Sequence, residues 1–131
     1  MSGTWVQAVD GRVAADQLGP TYCHEHLLTS PAPWLAGDDR DLVLDDEARA
    51  GAELRDFQAA GGRTIVELTA PEFGRDPVGL RRLAAATGAT IVATTGHVCT
   101  EYWRGVLDVD SQPESRLVDD MVGDLMTGMD G

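Results

Sequence analysis

The sequence contains no lysine, so its ten basic residues are all arginine; they stand against 22 aspartates and glutamates, for a formal charge of −12. Binding to phosphate backbones needs a basic face, and this balance argues against a nucleic-acid partner. The only basic clusters are short, such as Arg81-Arg82, and fit a solvated helix face. Acidity on this scale serves solubility. No apolar run approaches the ~20 residues that cross a bilayer, which argues against a membrane partner. The opening stretch MSGTWVQAVDGRVAADQLG lacks a basic region followed by an apolar core, so no secretory signal is expected. Cysteine is scarce. Cys23 and Cys99 lie far apart in apolar runs with no framework of spacings, which reads as two buried free thiols in a cytoplasmic protein. Low-complexity segments, glycine- or serine-rich linkers and solenoid repeats are also missing.

What remains is a chain of 131 residues, 43% hydrophobic, the size and composition of one globular domain. Three apolar runs bounded by turn residues read as strands: Thr21 to Leu28, RTIVELT at 63 to 69, and ATIVATTG at 89 to 96. Their near-continuous hydrophobicity predicts strands covered on both faces, as in a parallel sheet. Helical patterns lie between them. LDDEARAGAELRDFQAAGG places Ala50, Leu54 and Phe57 on one stripe and stops at a glycine pair. GRDPVGLRRLAAATG has Asp76 as N-cap, Pro77 at the first helical position, a stripe of Leu80, Leu83 and Ala84, and Gly88 at its end. SQPESRLVDDMVGDLMTGMDG offers Ser111 and Glu114 as a capping box, with Val118, Met121, Val122 and Leu125 on one face and Gly128 closing it. The order is β-α-β-α-β-α behind a short N-terminal arm, which means right-handed βαβ units and a parallel sheet. Three strands would leave both sheet edges open, and the chain stops where a fourth strand is expected.

LGPTYCHEHLLTSP, residues 18 to 31, carries the chemistry. In a strand, residues i and i+2 share a face, so His24 and His26 project together while Glu25 points away. At the C-terminal end of a parallel strand that face opens onto the region where α/β folds hold their sites. Two neutral imidazoles on one strand make half a site for zinc or a related divalent ion. The structural alternative has one histidine packed in the core and the other capping a loop. A mononuclear site needs three protein ligands and a dinuclear site more, and the chain has only one further histidine, His97.

LGPTYCHEHLL also resembles the first signature of the phosphotriesterase family of metal-dependent hydrolases. GGRTIVELTAPEFGRDPVGLRRLAAATGATIVATTGHV is similar to that family's second and third βα units, including Gly74-Arg75-Asp76 and Thr95-Gly96, and LVDDMVGDLMTGMDG to its third helix. The resemblance implies an α/β fold, the N-terminal part of a (β/α)8 TIM barrel. Residues 1–131 would form a partial barrel of about three βα units that stops before strand 4, where whole barrels take ~250 residues. It implies a dinuclear centre, two Zn²⁺ per full-length subunit, of which this sequence supplies the ligands His24 and His26. A bridging lysine, two further histidines and an aspartate would lie beyond Gly131, and no catalytic residue is expected within these residues. The implied reaction is hydrolysis of a small-molecule ester, lactone or phosphotriester by metal-activated hydroxide. Family proteins often form homodimers.

Other residues admit two roles each. His97 follows Thr-Gly at the end of the third strand and is a candidate substrate contact, as are Val98 and Tyr102. The resemblance implies an aromatic residue at the position of Val98, so valine alters the pocket. Tyr102, Trp103 and Trp34 lie in loops where substrate contacts gather, and each could instead be a surface anchor. Arg75 and Asp76 fit a helix cap with an ion pair inside the turn. Cys23 should point away from the histidines and pack. Rival functions are another amidohydrolase-type barrel, such as a deacylase or nuclease, and a remnant or binding module without catalysis should the natural chain end at 131.

Overall fold

A computed structural model of the chain describes residues 3–37, 40–98 and 108–129. Cys99, Tyr102 and Trp103 lie outside the described residues. The elements run β1 (Trp5–Ala8), β2 (Gly11–Ala14), β3 (Thr21–Glu25), α1 (Pro33–Ala36), α2 (Glu47–Ala59), β4 (Thr64–Glu67), α3 (Pro77–Thr87), β5 (Thr90–Ala93) and α4 (Glu114–Met126). β3, β4 and β5 form a parallel sheet in that order, with Thr64 opposite Thr90 and Glu67 opposite Ala93. The expected N-terminal arm is instead an antiparallel hairpin, β1 against β2, in which Ala8 pairs with Gly11. Its Val9 amide donates to the Ile91 carbonyl at 2.9 Å, so the hairpin covers part of β5's free edge. Arg12 stacks over Trp5 at 3.8 Å and braces the hairpin from outside.

The helices form where their sequences dictate. Asp46 accepts the Arg49 amide at 3.0 Å to start α2, and Asp76 accepts the Gly79 amide at 2.8 Å to start α3. Gly88 ends α3 in the left-handed region at φ +74°. The predicted capping box of α4 does not form: Pro113 takes the N-cap position, and Ser111 lies in a short 3-10 turn, donating to the Asp108 carbonyl. Proline fixes the entry to α4, so the serine is spent on the turn before it.

One core joins the sheet to α2 and α3. Leu54 of α2, Leu80, Leu83 and Ala84 of α3, and Ile65 and Ile91 of the sheet are buried together, with Phe57 packed against them. Among the described residues, the opposite face of the sheet is less covered than the apolar runs predicted. Val66 and Val92, which alternate with the buried isoleucines, are only half-buried, and Tyr22 of β3 is exposed. Cys23, expected to pack, is likewise exposed, on a strand that forms one edge of the described sheet. Val118, Val122 and Leu125 of α4 are exposed as well.

The loops after β3 and β4 are locked together at Gly74. Its φ of +76° is one that glycine tolerates, and a Cβ there would lie 2.4 Å from the Ser30 carbonyl oxygen. The Ser30 amide donates to the Phe73 carbonyl at 2.8 Å in the same contact.

Candidate functional site

β3 carries an irregularity where it matters. Tyr22 pairs with Ile65 and Glu25 with Glu67, so Cys23 and His24 together face Val66, a bulge of one residue. Bulges re-aim side chains beside sites. The two imidazoles still come together as the i, i+2 spacing predicts: their centroids are 5.3 Å apart and the rings meet edge to face. Both line a cavity of about 520 Å³ at the C-terminal end of the sheet, a volume suited to a small molecule. His97 and Val98 line the same cavity from the end of β5, with Thr94, Thr95 and Gly96. Phe73, Asp41, Leu42 and Leu44 also line it, and a bridge between Thr29 and Leu44 ties that segment to the chain just after β3. Of the five candidate residues, four surround one cavity and Tyr102 lies outside the described residues. Trp34 is exposed on α1 and does not line the cavity.

Glu25 stays out of the cavity lining, as expected, and its Oε1 accepts the His26 amide at 2.9 Å. Three acidic side chains that the sequence reading passed over support the site. Glu67, at the end of β4, is fully buried. Its Oε1 accepts the Leu27 amide at 3.3 Å and the Thr69 hydroxyl, and its Oε2 accepts the Thr69 amide at 3.1 Å. Thr69 Oγ1 in turn lies 3.0 Å from His26 Nδ1. Burial pushes the Glu67 carboxyl above its ordinary value, against the pull of its Thr69 and Leu27 donors and of His26. Glu72 is buried in the 3-10 turn after β4; its Oε1 accepts the Val98 amide at 2.9 Å and lies 3.4 Å from His97 Nδ1.

Asp124 reaches the same end of the sheet from α4. Arg75, whose side chain is 4% exposed, donates to Asp124 Oδ2 at 2.8 Å and to the Thr94 carbonyl at 3.2 Å, and Thr95 donates to the same carboxylate at 2.6 Å. The expected ion pair inside the turn is thus a long-range clasp between the loop after β4 and α4. Asp76 does cap its helix and lies 3.8 Å from Arg82. Burial pushes Asp124 up, but the Arg75 and Thr95 hydrogen bonds with the Arg75 and His97 charges outweigh it and hold the carboxyl below its ordinary range. A signal for these residues is present in the sequence, since Glu67 interrupts the apolar run RTIVELT.

Among the described residues no three histidines, cysteines or carboxylates stand close enough to enclose a metal ion. His24 and His26 fit one as a pair: two imidazole donors from one strand end, side by side on an open cavity wall.

The fold of three parallel strands with helices packed on them is matched by known proteins. The model of the phosphotriesterase family covers residues 4–131. The chain belongs to the phosphotriesterase family. A phospho-furanose lactonase of Mycoplasmopsis agalactiae is 33% identical over 96% of this chain and 36% of its own length. An N-acetyltaurine hydrolase of Danio rerio is 32% identical over 96% of this chain and 44% of its own. Among solved structures, a lactonase from Listeria monocytogenes superimposes with a TM-score of 0.88 at 29% identity, over 98% of this chain and 44% of that one. An organophosphorus hydrolase from Deinococcus radiodurans gives 0.76 at 34% identity, over 99% and 41%. The chain therefore spans 36 to 44% of the length of these relatives, and its parallel α/β sheet corresponds to a portion of the family's TIM barrel.

Proposed function

We propose that residues 1–131 are the N-terminal part, ending before strand 4, of a metal-dependent hydrolase that acts on a small-molecule ester, lactone or phosphotriester. The observation that carries this is the placement of His24 and His26 on the wall of the strand-end cavity, facing a space that His97 and Val98 also line. His24 and His26 would hold a divalent metal, with two Zn²⁺ per full-length subunit completed by ligands outside this sequence. A bound divalent ion supplies a hydroxide nucleophile near neutral pH and polarises the carbonyl or phosphoryl oxygen under attack. The chain's own part is to present two lone pairs from a fixed strand end and to shape the substrate space. His97, with Glu72 behind it, and Val98 would contact the substrate; valine leaves more room than an aromatic side chain would. Tyr102 is a third candidate contact. A full-length homodimer in the cytoplasm completes the proposal.

The relatives named N-acetyltaurine hydrolase support a second reading, in which the bond cleaved is an amide. The test is a panel of lactones, aryl esters, phosphotriesters and N-acyl amino sulfonates, assayed with metal content on the protein as its gene encodes it. Hydrolysis of the first three classes supports the leading reading, and turnover of the amides alone supports the second. A His24→Ala/His26→Ala double variant is expected to lose bound metal and turnover together. Full metal content in that variant would show that the pair only packs.

A further inference from the structure

Proton bookkeeping around Glu67 reaches into the cavity. Thr69 has one hydroxyl proton, and the hydrogen bond to Glu67 Oε1 uses it. The other two hydrogen bonds to that carboxylate come from groups that can only donate, the amides of Leu27 and Thr69. With its proton committed to Glu67, Thr69 Oγ1 can only accept on its other side, where His26 Nδ1 lies 3.0 Å away. Nδ1 must then carry the ring proton, and Nε2 keeps the lone pair. Glu67 and Thr69 are both buried, so water does not compete for these bonds. Among the described residues no comparable hydrogen bond holds the ring of His24, which touches His26 edge to face.

We propose that Glu67 and Thr69 are positioning residues that fix His26 as its Nδ1–H tautomer, with Nε2 as the one nitrogen able to bind a divalent cation in the cavity. This rests on the proposal that His26 is a metal ligand, and it assigns roles to two residues with no direct part in binding. His26 is the preset ligand, aimed by a relay that begins at the end of the neighbouring strand. His24 is the adaptable one. Hydrogen bonds of this kind orient ligand rings and raise ligand affinity, and their loss weakens metal binding about 10–100-fold.

The test uses the protein as its gene encodes it, labelled with ¹⁵N-histidine and stripped of metal, and reads the two ring nitrogens of His26 by long-range proton–nitrogen correlation NMR. The expected spectrum has a protonated Nδ1 and an unprotonated Nε2. A wild-type spectrum with the proton on Nε2 overturns the proposal without any variant. Thr69→Val is expected to abolish the fixed tautomer and to weaken Zn²⁺ binding, measured by competition with a chelating dye, about 10–100-fold. Thr69→Ser, which restores the hydroxyl, is expected to recover both, and thermal unfolding of the two variants controls for loss of fold. A Thr69→Val protein that keeps the Nδ1–H tautomer and wild-type zinc affinity overturns the relay while leaving His26 a ligand. Zinc binding at the full wild-type stoichiometry and affinity in His24→Ala/His26→Ala overturns the ligand assignment instead, and the metal-free spectrum still decides the tautomer.

Discussion

Two carboxylates lie at the same end of the sheet and are treated in opposite ways. Glu67, at the end of β4, is fully buried and held by two amides and a hydroxyl, and burial raises its proton affinity. Asp124, on α4, faces the buried guanidinium of Arg75, and its proton affinity is lowered. The second arrangement is mechanical: its charges cancel, and it ties the last helix to the strand ends. In the first, amides and a hydroxyl hold the carboxyl where no arginine among the described residues pairs with it, and the network continues through Thr69 to a histidine on the cavity wall. A carboxylate paired with arginine stabilises, whereas one held by donors that lead to a ring nitrogen orients chemistry. The two halves of the rim divide along that line.

Breaking the clasp should have the largest effect. Arg75→Ala leaves Asp124 without its cation and should destabilise the fold by about 3 kcal/mol in urea unfolding. Adding Asp124→Asn should recover part of that loss, because the two changes share one interaction. Gly74→Ala strikes the joint between the two halves, where both a positive φ and the Ser30 carbonyl oppose a side chain. A loss of about 2 kcal/mol is expected there, read as a lowered Tm. Asp76→Ala removes the N-cap of α3 and an exposed ion pair with Arg82, and should cost about 1 kcal/mol with the cavity unchanged.

The smallest effect should be the most diagnostic, because the two carboxylates predict opposite dependences on pH. The folded state binds the Glu67 proton more tightly than the unfolded chain does. Its contribution to stability is therefore complete below the ordinary value of 4.5 and is lost as pH rises through the raised folded value. Asp124 contributes stability that is present above its ordinary value of 3.8 and lost as pH falls through the lowered folded one. In denaturant titrations across pH, Glu67→Gln should flatten the loss on the rising side and Asp124→Asn the loss on the falling side. Slopes of the same sign at both sites would erase the distinction.

Much of this architecture is written locally in the sequence. The stripes Ala50–Leu54–Phe57 and Leu80–Leu83–Ala84 bury as their helical spacing predicts, and Asp76-Pro77 and Gly88 start and stop α3. Local spacing also brings His24 and His26 together, although it could not reveal the bulge between Tyr22 and Glu25. The hairpin was legible in principle from Asp10 and Gly11 where the chain turns at Val9-Asp10, but strands of four residues leave too short an alternation to stand out. Cys23 was misplaced because its surroundings depend on which strand is the edge, a property of sheet order that no single strand encodes. The Arg75–Asp124 clasp and the Thr69–His26 bond join residues 49 and 43 apart. Their chemistry is visible only once the strands are set side by side.

The central claim is that the strand-end histidines form the first part of a metal site, with His26 preset by the relay. Its most direct test is a crystal of the protein, as its gene encodes it, grown with Zn²⁺ and measured at the zinc absorption edge. The account predicts an anomalous peak in the cavity about 2.0–2.1 Å from both His26 Nε2 and a ring nitrogen of His24. Zinc peaks only away from His24 and His26, or one bound through His26 Nδ1 with Thr69 displaced, would contradict it.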